Sequence, residues 1–280
     1  MVSNPKMILE SYDLFPKKSL GQNFMHDPQA LDKIVDSAVL TGADAVVEVG
    51  AGTGSLTAKL AERSREVFAI EVDQRLQPVL EDRFDDVSNV YLVFDDVLKT
   101  DISTLVGEQE YVVVANLPYY ISSAVLWHFL EAGLPPRRMV LTMQYEVAER
   151  IVAGQGVMNL LSVALQYYGA PQIVSKLSPA VFWPRPNIHS AIVRIETHEG
   201  APVAVPSTEA FFRVVRAGFS MKRKQLKNAL SRGLGISSAR TSELLCAADI
   251  DPQRRAETLT LPEWAGLTRT IHQSGDVQFM

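Results

Sequence analysis

EVGAGTGSLT, residues 48–57, follows the apolar run AVV and decides how the rest of the chain is read. Gly50, Gly52 and Gly54 let the backbone pass close to a ligand, and a helix opening behind them offers N–H groups with no intrahelical partner. A strand, a glycine-rich turn and a helix N-terminus together suit a nucleotide-like cofactor. The dinucleotide fingerprint needs its third glycine five positions after the first, and this chain has Ser55 there. The spacing therefore disfavours a nicotinamide dehydrogenase, which stays as a distant alternative.

On either side of this loop the chain alternates. AVVEVG (45–50), VFAIEV (67–72), VYLVF (90–94), YVVVANL (111–117) and RMVLTM (138–143) are short β-branched runs separated by segments of helical period. Strands so continuously apolar, set between helices, predict a parallel sheet covered on both faces. HDPQALDKIVDSAVL (26–40) opens a helix, with Asp27 as N-cap and Pro28 at the first helical position. After the proline-rich connector EGAPVAVPST (199–208) the apolar spacing is helical throughout. The expected architecture is α/β, a doubly wound domain over residues 1–200 followed by a small all-helical domain over 201–280. No internal repeat or low-complexity tract interrupts it.

Two acids extend the cofactor reading. Glu71 ends the second run in AIEVD (69–73), where a carboxylate can accept both hydroxyls of a ribose, each charge-assisted bond contributing about 1.5–3 kcal/mol. Asp96, with Val97 beside it, follows the third run in FDDVL (94–98), placed to accept from an adenine amine. NLPYY (116–120) follows the fourth run and so borders the reactive end of such a cofactor. An exocyclic amine is a poor nucleophile because its lone pair is delocalised into the base. Two acceptors, the Asn116 side-chain oxygen and the Leu117 carbonyl, would orient it for attack. Pro118 stiffens the turn, and Tyr119 offers a stacking face contributing about 1–3 kcal/mol per base. Tyr120 is expected to pack. The stretch suits a flipped purine with its amino group aimed at a donor carbon.

Composition sets the outer limits. The chain has 280 residues, 47% of them apolar, enough for a full-sized core and a second, smaller domain. No stretch approaches the roughly 18 apolar residues of a membrane span, and the N-terminal residues lack a basic start followed by an apolar segment, so a soluble cytoplasmic protein is expected. The single cysteine, Cys246 in SELLCAADI, excludes a disulfide framework and is expected to be a buried structural thiol. The five histidines show no ligand spacing, so no metal is expected. Net charge is −5, yet from Arg213 to Arg232 the chain carries seven Lys or Arg and no acid. Such a block on an acidic protein is a footprint for phosphates, or else a solvated helix face.

Taken in order, these motifs resemble the rRNA adenine N6,N6-dimethyltransferase family over nearly the whole chain. PKKSLGQNFMHD (16–27) is similar to its K-x-x-G-Q-N-F-L-x-D opening, which implies that Asn23 and the Met25 backbone help enclose S-adenosylmethionine. The glycine loop points to Gly50 and Gly52, and Glu71, Asp96 and Asn116 fall where the family contacts ribose, adenine and target amine. MQYEVAERI (143–151) resembles the segment after the fifth strand. FWPRPNIHSAIVRI (182–195) resembles the motif that closes over the target, implying that Phe182 packs on the adenine opposite Tyr119. FSMKRKQLKNAL (219–230) resembles the basic stretch of the helical domain, which makes Lys222, Arg223, Lys224 and Lys227 candidate rRNA contacts.

The resemblance implies a SAM-dependent methyltransferase of Rossmann-like fold that dimethylates two adjacent adenines near the 3′ end of small-subunit rRNA. Its partner would be the immature 30S subunit, and it would act as a monomer. Asn187, Ile188 and His189 stand where the family has Lys-Val-Asp, AGQGVMNLLSV (153–163) lacks the usual P-G-S-x-x-Y-G wording, and Met25 replaces a leucine of similar volume. Two other readings stand beside it. A similar family methylates large-subunit rRNA with N-I-P-Y in place of N-L-P-Y. From another class, the chain could serve mainly as a ribosome-assembly factor.

Overall fold

The apolar runs become strands in the computed structural model, which describes residues 4–154, 156–221 and 223–279. In chain order the strands are β1 (Phe24–Met25), β2 (Ala45–Val49), β3 (Glu66–Ile70), β4 (Val90–Val93), β5 (Tyr111–Asn116), β6 (Arg138–Gln144), β7 (Gly169–Leu177), β8 (Phe182–Trp183) and β9 (Ser190–Thr197). The helices are α1 (Pro5–Ser11), α2 (Pro28–Ala38), α3 (Ser55–Ala61), α4 (Gln77–Phe84), α5 (Ile102–Val106), α6 (Ser122–Leu130), α7 (Tyr145–Val152), α8 (Leu160–Tyr168), α9 (Thr208–Phe219), α10 (Leu226–Leu234), α11 (Ser238–Ala247) and α12 (Leu261–Ser274).

Two compact units form, Met1–Ala148 with Gln172–Thr197, and Glu149–Pro171 with His198–Met280. The crossing at 197–198 lies near the expected boundary at residue 200, but the excursion 149–171, which belongs with the C-terminal helices, was not expected.

In the first unit a seven-stranded sheet runs β4-β3-β2-β5-β6-β9-β7. β2 pairs in parallel with β3 and with β5, and β3–β4 and β5–β6 are also parallel. The order reverses between β2 and β5, which puts a topological switch point at their carboxyl ends, where open α/β sheets bind ligands. β5 explains its composition: Tyr111 to Ala115 are all fully buried, so a polar residue anywhere along it would cost desolvation. α2 lays Ala30, Leu31, Ile34, Val35 and Ala38 into the core, with Asp27 Oδ1 accepting from Ala30 N–H at 2.8 Å.

The five runs read as strands pair in parallel as expected, but the whole sheet is mixed, because β9, a strand not among them, runs antiparallel to β6, from Gln144 opposite Ser190 to Arg138 opposite Glu196.

The second unit packs around aromatic rings. Tyr167 stacks on Phe211 at 4.7 Å between centroids and Tyr168 on Phe212 at 5.4 Å, so α8 and α9 share one apolar face. Trp264 of α12 is fully buried, with Phe219 of α9 at 5.6 Å. From residue 201 onward the described elements are all helical. Cys246, expected to be buried, is exposed. Leu244 and Leu245 take the inward positions of α11, and the next residue is carried round to the outer face.

Gly218 makes this packing testable, since a Cβ there would overlap the buried Trp264 ring. Overpacking costs about 1–3 kcal/mol, against the roughly 1 kcal/mol that alanine gains over glycine in a helix. Gly218→Ala is expected to lower the urea midpoint; an unchanged or raised midpoint would show that the ring can give way.

Candidate active site

The loop after β2 takes the left-handed backbone that its glycines permit, with φ of +82° at Gly50, +59° at Gly52 and +77° at Gly54. Gly52 is needed on a second count, because a Cβ there would stand 3.1 Å from the Phe24 ring. Its N–H donates to Glu71 Oε2 at 2.8 Å, and Asp73 N–H donates to Oε1 at 2.8 Å. Glu71 is 6% exposed. Burial pushes its carboxyl above the usual range, while the Asp73 and Gly52 donors oppose the shift. Each oxygen keeps lone-pair capacity for a further donor.

A cavity of about 430 Å³ opens at the carboxyl ends of these strands, within the size range of small-molecule sites. It gathers Asn23, Gly50, Gly52, Glu71, Asp96, Val97, Asn116, Leu117, Tyr119 and Phe182. Those are the residues the sequence pointed to, drawn from segments far apart in the chain. Met25 does not line this space; it lies beside it in β1, paired with Phe182 of β8. Asp96 sits three residues past β4 rather than at its end, in a turn where its Oδ1 accepts from Leu98 N–H at 3.1 Å. The carboxylates, the glycine backbone and an apolar lining fit an adenosine-bearing ligand. Among the described residues no group of His, Cys, Asp or Glu could hold a metal ion.

Residues 17–25 form a strap of which Leu20 to Phe24 line the cavity, secured by contacts that sequence did not announce. Gln22 Oε1 accepts from Lys17 N–H at 2.7 Å, and Gln22 Nε2 donates to Asp73 Oδ2 at 2.8 Å. Burial alone would raise the Asp73 carboxyl, but the Arg75 guanidinium and the Gln22 amide hold it below the usual range. Asp73 thus links the strap to Glu71.

Within NLPYY, Asn116 Nδ2 donates to the Asn23 carbonyl at 3.4 Å, and its Oδ1 accepts from Thr142 Oγ1 at 2.6 Å. Tyr119 hydroxyl shares a 2.7 Å hydrogen bond with Ser190 Oγ, and burial raises its pKa while that bond opposes. Leu117 is 3% exposed. Tyr120, expected to pack, is instead 64% exposed, although it contributes to the cavity lining. Sequence reasoning missed Gln22, Asp73, Thr142 and Ser190. In the second unit, Arg223 and Lys224 are exposed in the turn before α10 and Lys227 is half-buried in its first turn. Lys222 lies outside the described residues.

Residues 15–268 match the sequence profile of the family described as "Ribosomal RNA adenine dimethylase". A protein of Dehalococcoides mccartyi named "Ribosomal RNA small subunit methyltransferase A" is 44% identical over 268 residues, covering 95% of this chain and 92% of the relative. One from a Geobacillus species with the same name is 42% identical over 274 residues, with 94% of each covered. Among solved structures, the 23S rRNA methyltransferase ErmE is similar with a TM-score of 0.72 at 25% identity, covering 90% of this chain and all of that one. A dimethyladenosine transferase from Plasmodium falciparum has a TM-score of 0.77 at 24% identity over 92% of this chain, a likeness of fold.

One further acid sits behind the glycine loop. Glu48 of β2 is fully buried, and among the described residues neither carboxylate oxygen has a hydrogen-bond partner. Desolvation pushes its pKa up to about 8; the nearby Thr57 hydroxyl opposes that rise and the neighbouring Glu71 charge adds to it. The folded chain therefore keeps a proton that the unfolded chain loses near its ordinary value of about 4.3, and stability falls as pH rises from there toward about 8. Glu48→Gln is expected to lose less stability than the parent between pH 5 and pH 8, measured by urea unfolding. Equal losses would mean that Glu48 is already ionised in the fold.

Proposed function

Because this chain belongs to the ribosomal RNA adenine dimethylase family, we propose that it transfers methyl groups from S-adenosylmethionine to N6 of two adjacent adenines near the 3′ end of small-subunit rRNA. The observation that carries this reading is the convergence of Glu71, Asp96, Asn116, Tyr119 and Phe182 on one cavity at the switch point of a Rossmann-like methyltransferase fold. Glu71 and Asp96 would hold the ribose and adenine of the cofactor, with Asn23, Gly50, Gly52, Val97 and the backbone near Met25 enclosing it. When bound, the cofactor supplies an electrophilic methyl carbon.

The protein's part is alignment. Asn116 Oδ1 and the Leu117 carbonyl accept the hydrogens of the target amine, turning its lone pair toward the cofactor. Tyr119 and Phe182 hold the extruded base. Asn116 is neutral, so the site contains no strong base at this point, and the amine's surplus proton leaves to water after transfer. Rate then comes from orientation and the exclusion of solvent. Arg223, Lys224 and Lys227, with Lys222, supply cations for rRNA phosphates. The substrate would then be met as immature 30S particles in the cytoplasm.

The relatives at 42–44% identity carry small-subunit names, whereas the likeness to a 23S enzyme stands at 25%. Labelled S-adenosylmethionine incubated with separated immature subunits decides between them: label on the small subunit is expected, and label confined to the large subunit would overturn the reading. Asn116→Ala is expected to bind cofactor with little change yet lose most transfer; unchanged turnover would remove the alignment argument. Neutralising Lys222, Arg223, Lys224 and Lys227 together should flatten the logarithmic salt dependence of rRNA binding by about one unit for each phosphate no longer neutralised. An unchanged slope would make them a solvated face.

A further inference from the structure

The orientation of the Asn116 amide has a cause outside NLPYY. Thr142 lies on β6 directly beside Asn116 in the parallel register of β5 and β6, and it is 1% exposed. An asparagine amide has one accepting end and one donating end of nearly equal shape, so packing alone does not choose between them. The Asn23 carbonyl, 3.4 Å from Asn116 Nδ2, can only accept, so it selects the donating end. The Thr142 hydroxyl, whose hydrogen can rotate, then donates to Oδ1 at 2.6 Å. Of the two contacts the Asn23 bond is long and the Thr142 bond short, so the hydroxyl carries most of the restraint.

We propose that Thr142 is a positioning residue for methyl transfer, its hydroxyl fixing the Asn116 side-chain oxygen for the target amine. The bond occupies one lone pair of Oδ1 and leaves the other for the substrate. Thr142 does not line the cavity, so it acts through Asn116 and touches neither RNA nor cofactor. The inference rests on the function proposed above. It separates two roles that a buried threonine can have: filling volume, which a valine also does, and donating a hydrogen bond, which a valine does not.

The test uses the full chain with immature small subunits and labelled S-adenosylmethionine, comparing Thr142→Val, Thr142→Ala and Thr142→Ser with the parent. Since displacing a reacting geometry by about 1 Å can cost a hundredfold, Val and Ala should lower kcat by roughly tenfold or more, with KM for the subunit and Kd for the cofactor within about twofold. Ser should bring kcat back to within about threefold of the parent. Cofactor affinity reports that each variant is folded, and Ala carries the comparison where Val does not fold.

Parental kcat in Val or Ala, a Ser variant as slow as Val, or a loss confined to KM would each overturn the proposal. A parent chain that methylates neither subunit would remove the function and this inference with it. An active parent beside an unaffected Thr142→Val removes the inference alone.

Discussion

The 2.8 Å bond from Gly52 N–H to Glu71 Oε2 is the contact on which the rest of the cavity depends. It joins the turn after β2 to the end of β3, so the glycine loop cannot relax independently of the acid beside it. The other oxygen of the same carboxylate takes the Asp73 N–H, and Asp73 in turn holds Gln22 of the strap. A chain of polar contacts therefore runs from the sheet to the N-terminal segment, closing a space that parallel strands alone would leave open. Moving Glu71 would loosen both walls at once.

The same end of the sheet contains an uneven distribution of polar groups. Glu48 is fully buried and its carboxyl is pushed up by desolvation, whereas Glu71, nearly as deep, has two backbone donors. Burial raises both carboxyls, but only Glu71 has backbone donors that oppose the rise, and only Glu71 lines the cavity where a ligand can reach it. Thr142 and Ser190 follow a related logic. Each is a small hydroxyl inside an apolar strand, and each finds its partner in NLPYY. Such bonds add little net stability but would leave a costly orphan if broken, which makes them good restraints.

Much of the fold was legible because β2 to β6 are continuous β-branched runs, and a strand buried on both faces has few other ways to be written. Glu71 and Asn116 were legible because a polar residue closing such a run stands out. The restraining hydroxyls were not: Thr142 is 26 residues from Asn116 and Ser190 is 71 from Tyr119, and one hydroxyl in a strand has no periodic signature. Gln22 and Asp73, 51 residues apart, were hidden for the same reason. β9 itself escaped, because its residues were read only as part of the motif FWPRPNIHSAIVRI and not as a strand. Cys246 was misjudged because it follows buried Leu244 and Leu245, and Tyr120 because it stands between half-buried Tyr119 and Ile121; adjacency along a chain does not mean a shared face.

The second unit has a discontinuous chain, and this bears on the order in which the protein can assemble. α8 leaves the ribosome well before α9, yet Tyr167 and Tyr168 find their stacking partners in Phe211 and Phe212. Between the two helices the chain must lay down β7 and β9 in the seven-stranded sheet and β8 against β1. A nascent protein halted near residue 200 would therefore hold Tyr167 and Tyr168 without the Phe211 and Phe212 rings that stack on them, a sticky intermediate that persists until α9 has been translated.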